Sequence, residues 1–168
     1  MRWSGTIFIS ALLGAAAAAA SPQVVAASGR WAALRGVNAC EAASLSLLGA
    51  TRTRAQGRAS LAFEPARRHG QFAARLSRDA RAGSGILLTI GETPFLLVGR
   101  GALAWSRGPA QEAAIIAAMR GASGMRIEAR AIGGGRFIDR YALDGAPTAI
   151  DAAAACSASL GRPAAQKR

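Results

Sequence analysis

Residue types that carry most catalytic and metal chemistry are scarce in this chain. It has one histidine, His69, two cysteines, Cys40 and Cys156, and nine acidic residues. A zinc module and a multi-histidine metal site need more ligands than these, and a Cys-x-x-Cys redox site needs closer cysteines. We therefore expect no metal and no cofactor.

His69 follows two arginines and precedes Gly70, just ahead of a predicted strand over residues 71–78, so we expect it to be exposed. A histidine base in nucleophilic catalysis needs a serine or cysteine partner. The Gly-x-Ser-x-Gly elbow that presents such a serine in many hydrolases does not occur in the sequence. The sequence therefore predicts no catalytic residue.

Asp139 is the acidic residue with the most unusual predicted environment. It falls on the apolar face of a predicted hairpin, with Arg136 and Arg140 close by in the chain. A buried aspartate that accepts backbone amides or pairs with an arginine is the preferred interpretation. The alternative is a hydrolase that uses carboxylates around Asp139, although the spacing of the acidic residues indicates no catalytic pair.

Basic residues outnumber acidic ones, with 21 Lys+Arg against 9 Asp+Glu and a formal net charge of +12. All of the basic residues except Lys167 are arginine, and they are spread along the chain. Aromatic residues make up only 5% of the chain, too few for the stacking positions that nucleic-acid binding uses, so we expect no nucleic-acid partner. Attraction to anionic polymers follows from charge alone.

Residues 1–27 have the pattern of a secretory signal peptide. Arg2 is their one charged residue, and an apolar stretch runs from residue 3 to residue 20. The alternative is a transmembrane anchor, which needs about 20 strongly apolar residues. Because much of the stretch is alanine, the signal peptide is preferred, with no membrane span after its removal.

Two small-residue patterns suit cleavage, one at Ala18-x-Ala20 and one that ends at Ala27. We expect cleavage near Ala27–Ser28, because patterned sequence begins directly afterwards. Residues 28–168 then form a single exported domain, periplasmic or secreted, with a frayed tail over residues 162–168.

The two cysteines predict a disulfide between Cys40 and Cys156. An oxidising compartment favours pairing, and two cysteines allow one intramolecular bridge. Cys156 shares a helical stripe with small alanines, which would let the helix approach a strand to the Cα separation of about 4.4–6.8 Å that a disulfide requires. Two buried free thiols or an intermolecular bridge are the alternatives.

Residues 86–90 and 93–98 predict a hairpin around the dipeptide Gly91-Glu92, a loop suited to a type II′ turn. In this register Ile86 faces Leu97 and Leu88 faces Phe95. Both faces of the hairpin are apolar, so we expect it to be central and covered on both sides.

A second hairpin is predicted around the three glycines at positions 133–135, between residues 124–132 and 136–143. With these glycines as the loop, Ile127 faces Tyr141 on the apolar face and Glu128 faces Arg140 on the other.

Two helices complete the predicted elements. The first spans about 109–120 and the second about 147–160, and each opens with a proline in the first turn and ends near a glycine. The sequence therefore predicts an α+β fold, a mostly antiparallel β-sheet or sandwich of six to eight short strands with two helices.

A set of segments along the chain forms a recognisable order: Trp31 and Cys40 after the signal peptide, Gly70–Arg78, Ile90–Leu97, Ala104-Trp105, Ile115–Arg120, Tyr141–Gly145 and Ala149–Ala153. Together these segments resemble the divergent alphaproteobacterial branch of the invasion-associated locus B family. The resemblance implies a small exported protein of the bacterial envelope, with no catalytic residues attributed to the family.

The sequence thus predicts an exported protein with a non-enzymatic binding or structural role in the envelope. Its expected partner is an unidentified envelope component or an anionic glycan. Two alternatives stay open: a carboxylate-dependent hydrolase around Asp139, and a cationic binder of anionic envelope glycans, which would require an arginine-rich contiguous face.

Overall fold

The structure is a computed structural model that describes residues 21–162. Antiparallel strands and two helices make up this part of the chain, which confirms the α+β class. The elements in chain order are β1 (Gln23–Ser28), β2 (Trp31–Arg35), β3 (Cys40–Leu45), β4 (Arg58–Glu64), β5 (Arg68–Arg75), β6 (Ile86–Ile90), β7 (Thr93–Arg100), β8 (Leu103–Trp105), α1 (Pro109–Gly121), β9 (Gly124–Arg130), β10 (Arg136–Ala142) and α2 (Ala146–Leu160).

The strands form one ten-stranded sheet in the order β1-β2-β3-β4-β5-β8-β7-β6-β9-β10. Six to eight strands were expected, and that number is wrong. The difference lies partly in β1, β2 and β3, which are rich in alanine, a residue with low β propensity. These strands pack against α2, and their own residue pattern does not predict this tertiary contact.

Strand β1 lies almost entirely within the segment assigned from sequence to the signal peptide. It pairs antiparallel with β2, with Ala27 opposite Ala32 and Ser28 opposite Trp31. Ala26 packs against the core. Cleavage at Ala27–Ser28 would remove all of β1 except its last residue, whereas cleavage after Ala20 would leave the strand whole. The rest of the predicted signal peptide, residues 1–20, lies outside the described residues.

The two ends of the sheet approach each other. The Arg30 amide donates to the Asp144 carbonyl at 3.1 Å, and the Leu47 amide donates to the Arg140 carbonyl at 2.8 Å. The Trp31 indole Nε1–H donates to the Ala142 carbonyl at 2.9 Å. These contacts bring the loop after β3 against the middle of β10, and they explain how residues distant in sequence come to line one cleft.

Both helices contribute to the same core, which lies on one face of the sheet. Helix α2 packs on β1–β4, and α1 packs mainly on β5. Their observed limits agree with the predicted ranges to within one residue. The largest fully buried side chains include Trp31, Phe72, Met119, Ile127 and Tyr141.

The β6–β7 hairpin has the predicted register, with Ile86 opposite Leu97 and Leu88 opposite Phe95. Gly91 has a φ of 56° and Glu92 has no positive φ, as a type II′ turn requires. The expectation that both faces would be covered is wrong, because Leu96 and Val98 are 46% and 39% exposed. Both helices lie on the other face.

The register predicted for the β9–β10 hairpin is wrong by two residues. Ile127 pairs with Asp139, Tyr141 pairs with Met125, and Glu128 pairs with Ile138 rather than with Arg140. The loop does have three residues, but they are 132–134, closed by hydrogen bonds between Ala131 and Gly135 and from Gly134 back to Ala131.

Backbone conformation explains this shift. A three-residue hairpin loop ends in a left-handed residue, and Gly134 takes that position with a φ of 89°. Ile132 is consequently drawn into the loop, where it is 68% exposed. A shift of two residues leaves every side chain on its predicted face, so Asp139 still lies on the buried one.

The remaining predictions concern short segments. The strand expected over residues 71–78 is β5, which begins and ends three residues earlier. The arginine- and glycine-rich stretch before β4 is irregular, with one isolated bridge between Thr51 and Arg54. Gly161 and Arg162 follow α2 as a turn and bend, and the rest of the predicted tail lies outside the described residues.

Candidate functional site

The predicted disulfide between Cys40 and Cys156 is confirmed. Cys40 opens β3 and Cys156 lies in the last turns of α2, with a Cα–Cα distance of 6.0 Å. Both residues are buried in the core. The bridge joins positions 116 residues apart in sequence and fastens α2 to the sheet on which it packs.

Asp139 is buried, with 4% of its surface exposed, and its Oδ2 accepts the backbone N–H of Ser77 at 2.8 Å. Of the two neighbouring arginines, Arg136 pairs with Glu128 instead, at 2.8 Å between Nη2 and Oε2. The contact with Ser77 fits the interpretation of Asp139 as an acceptor of backbone amides. It joins β10 to the segment that follows β5.

The Tyr141 hydroxyl lies close to the same point in the core and has no hydrogen-bond partner among the described residues. Burial raises the pKa of Tyr141, and the negative charge of Asp139 raises it further. Gly57 fills the space beside both groups. A Cβ at that position would lie 2.8 Å from the Tyr141 hydroxyl oxygen and 3.0 Å from Asp139 Oδ2, so the contact has no room for a side chain.

His69 is exposed on β5, as expected, and borders two surface cavities. The cavity of about 430 Å³ between His69 and α1 also contains Glu112, whose Oε1 accepts the Ser106 hydroxyl at 2.9 Å. Glu112 accepts a hydrogen bond from Ser106, and Glu64 pairs with Arg68. Among the described residues, no carboxylate forms a hydrogen bond or ion pair with His69.

A different cavity gathers positive charge. It has a volume of about 480 Å³ and lies where the loop after β3, the loop after β5 and strand β10 meet. We call it the arginine cleft, and its lining residues are Leu48, Arg54, Ser77, Arg78, Arg136, Phe137, Ile138 and Arg140.

Arg54 is held at the cleft by its loop. Its backbone amide and carbonyl both bond to Thr51, and its Nη2 donates to the Gly49 carbonyl at 2.9 Å. The Nε–H of Arg54 is buried and has no partner among the described residues. A buried donor without an acceptor is unfavourable for the folded arrangement of this loop.

The other charges of the cleft differ in how far they are neutralised. Arg136 pairs with Glu128. Burial acts to raise the pKa of Glu128, but the hydrogen bonds and charges of Arg136 and Arg126 together hold this pKa below its ordinary value. Arg78 and Arg140 form no ion pair within residues 21–162. The positive charge of the cleft therefore exceeds the negative charge of the carboxylates that pair with its arginines.

Sequence analysis did not find this cleft. Its four arginines come from three separate segments and share no spacing, so in sequence they belong to a uniform spread of basic residues. The one local signal is the proximity of Arg136 and Arg140 on β10. Their even spacing places both on the exposed face of that strand, opposite Asp139.

The fold and the cleft define a small disulfide-bridged α+β protein built on one antiparallel sheet, with a basic cleft alongside β10. Comparison of the chain with protein-family models, with curated proteins and with solved structures finds no match. The resemblance to the invasion-associated locus B family therefore stays a prediction from sequence.

Two further observations concern residues 21–162 alone. Neither helix is long and apolar enough to cross a membrane. No three His, Cys, Asp or Glu side chains of this range converge in an arrangement that could hold a metal ion.

Proposed function

We propose that this chain is an exported, non-enzymatic protein of the bacterial envelope that binds anionic groups of envelope glycans. The observation that carries the proposal is the arginine cleft, in which the guanidinium groups of Arg54, Arg78 and Arg140 have no ion-pair partner among the described residues. Guanidinium groups form charge-assisted, often bidentate hydrogen bonds with carboxylate, sulfate and phosphate oxygens.

Export is supported by the disulfide together with the apolar N-terminal sequence. A bridge between Cys40 and Cys156 is favoured in an oxidising compartment such as the periplasm. The resemblance to the invasion-associated locus B family, read from the segments quoted above, agrees with an envelope location. No role in host-cell invasion is part of the proposal.

Binding is favoured over the hydrolase alternative by the position of Asp139. Its carboxylate is buried and one of its oxygens is used by the Ser77 amide, so it faces the core rather than a cavity. A general acid or base has to come within hydrogen-bond reach of its substrate.

The proposal is tested with purified protein on immobilised heparin, a sulfated glycan, with a neutral dextran resin as the blank. We expect retention on heparin at low salt and elution as salt screens the charges. Net charge alone would also retain the protein, so two double variants of equal charge are compared: Arg78→Gln with Arg140→Gln in the cleft, and Arg35→Gln with Arg100→Gln outside it.

The cleft variant should elute at clearly lower salt than the variant with the two exposed arginines outside the cleft. Equal elution of the two variants would show that only the overall charge matters, and it would contradict a binding site in the cleft.

A further inference from the structure

The number of guanidinium groups without an ion-pair partner in the arginine cleft indicates how much negative charge a bound anion should carry. Three guanidinium groups, those of Arg54, Arg78 and Arg140, form no ion pair within the described chain, while Arg136 shares its charge with Glu128. A carboxylate offers two oxygens and one negative charge. A phosphate monoester offers three terminal oxygens and a charge between about −1.5 and −2 at neutral pH.

The walls of the cleft are divided in character. Leu48, which is 51% exposed, and Ile138 supply apolar surface beside the arginines, whereas the side chain of Phe137 is buried in the core. A volume of about 480 Å³ falls within the range of small-molecule sites. The cleft therefore has space and apolar surface for a carbon framework next to the anionic group. Inorganic phosphate has no such framework and would not contact the apolar surface.

We infer that the arginine cleft binds a sugar-linked phosphate monoester, with the guanidinium groups of Arg54, Arg78 and Arg140 holding the phosphate oxygens. This inference rests on the proposed function, since it names the anionic group that the envelope glycan presents. Arg136 also lines the site, but its charge is already paired with Glu128, so we expect it to contribute less to phosphate binding.

The experiment is a calorimetric titration of the purified protein with glucose 1-phosphate. Glucuronate, a carboxylate sugar, and inorganic phosphate serve as parallel probes. We expect glucose 1-phosphate to bind at least tenfold more tightly than glucuronate, and more tightly than inorganic phosphate. Equal affinity for glucuronate would overturn the assignment to phosphate, and equal affinity for inorganic phosphate would overturn the assignment to a sugar-linked group.

The variants locate the binding. Arg78→Gln with Arg140→Gln should weaken glucose 1-phosphate binding by tenfold or more, because each change removes a charge-assisted hydrogen bond. Arg35→Gln with Arg100→Gln, which makes the same change in net charge, should alter the dissociation constant less than about twofold, since diffuse charges are screened by salt. An equal loss in both variants would overturn the site.

A spectroscopic measurement tests Arg54 without changing it. In ¹⁵N-labelled protein, the Nε–H resonance of Arg54 should shift on addition of glucose 1-phosphate, and an unmoved resonance at saturation would contradict its role. If the titrations fail while heparin retention still depends on the cleft, the phosphate assignment is wrong and the proposed function stands. If heparin retention does not depend on the cleft, the proposed function itself is wrong.

Discussion

At the scale of single residues, Asp139, Tyr141 and Gly57 meet at a tightly packed point of the molecule. The Asp139 carboxylate has one hydrogen bond from Ser77, and the Tyr141 hydroxyl has none among the described residues. Burying a hydroxyl without a partner costs about 1–3 kcal/mol relative to leaving it hydrated. The aromatic ring of Tyr141, which is fully buried, offsets this cost through the apolar surface that it removes from water.

This environment predicts a particular dependence of stability on pH. The pKa of Tyr141 is raised in the folded protein, first by burial and then by the charge of Asp139, so folding favours the protonated phenol. The corresponding contribution to stability is complete below the pKa of the unfolded chain, near 10.0, and is lost as the pH rises above that value towards the folded pKa. The free energy of unfolding should therefore fall above about pH 10.

Because Tyr141 is the one tyrosine in the sequence, tyrosinate absorbance reports on it alone. Absorbance should rise only together with unfolding, and Tyr141→Phe should remove the tyrosine contribution to the alkaline loss of stability. Asp139→Asn should lower the pKa of Tyr141 only in part, because burial, the larger cause of the raised pKa, remains. A folded protein that titrates its tyrosine near pH 10 would show that the hydroxyl is accessible to water.

At the scale of elements, β1 bears on the proposed export, because it limits where a processed chain could begin. The strand pairs with β2 along its length, Ala26 packs against the core, and α2 also contacts the strand. An exported protein that starts at Ser28 would lack five of the six residues of β1.

We therefore expect cleavage after the Ala18-x-Ala20 pattern, which gives a mature chain that begins at Ser21. Intact-mass measurement of the native protein decides between Ser21 and Ser28. Chains that begin at these two residues and are otherwise identical provide the matched comparison, and the chain from Ser28 should unfold at lower denaturant concentration. A native mass that corresponds to Ser28 would contradict the prediction.

At the scale of the whole molecule, the Cys40–Cys156 bridge stabilises the fold by limiting the unfolded chain. A loop closed over a separation of 116 residues corresponds to about 4–5 kcal/mol in the chain-entropy model, an upper figure since native strain subtracts from it. The core that the bridge reinforces contains many alanines, which bury little apolar surface each.

The double substitution Cys40→Ala with Cys156→Ala should lower the free energy of unfolding by about 2–5 kcal/mol, measured by urea denaturation. Reducing agent should destabilise the natural chain by a similar amount and leave the double variant unchanged. Two reactive thiols per chain in the denatured, unreduced protein would contradict the bridge.

Local features of the sequence were sufficient to predict several elements. The β6–β7 hairpin is specified by a Gly-x dipeptide between two apolar runs, and both helices are bounded by proline and glycine. The disulfide followed from the count of two cysteines and the expected oxidising compartment. The hairpin and the helices depend on contacts between residues close in sequence. The disulfide depends on the fact that two cysteines allow one intramolecular pairing.

Tertiary structure decided the rest. The alanine-rich strands β1–β3 are ordered by their contact with α2, and Gly134 sets the β9–β10 register because the loop needs a left-handed residue at its end. The arginine cleft exists because the loop after β3 hydrogen-bonds to β10 beside the loop that carries Ser77 and Arg78. The sequence determined the amount of positive charge, but the contact between the loop after β3 and β10 determined where that charge is concentrated. A contact between distant segments leaves no periodic pattern in either of them, so the sequence alone could not predict the cleft.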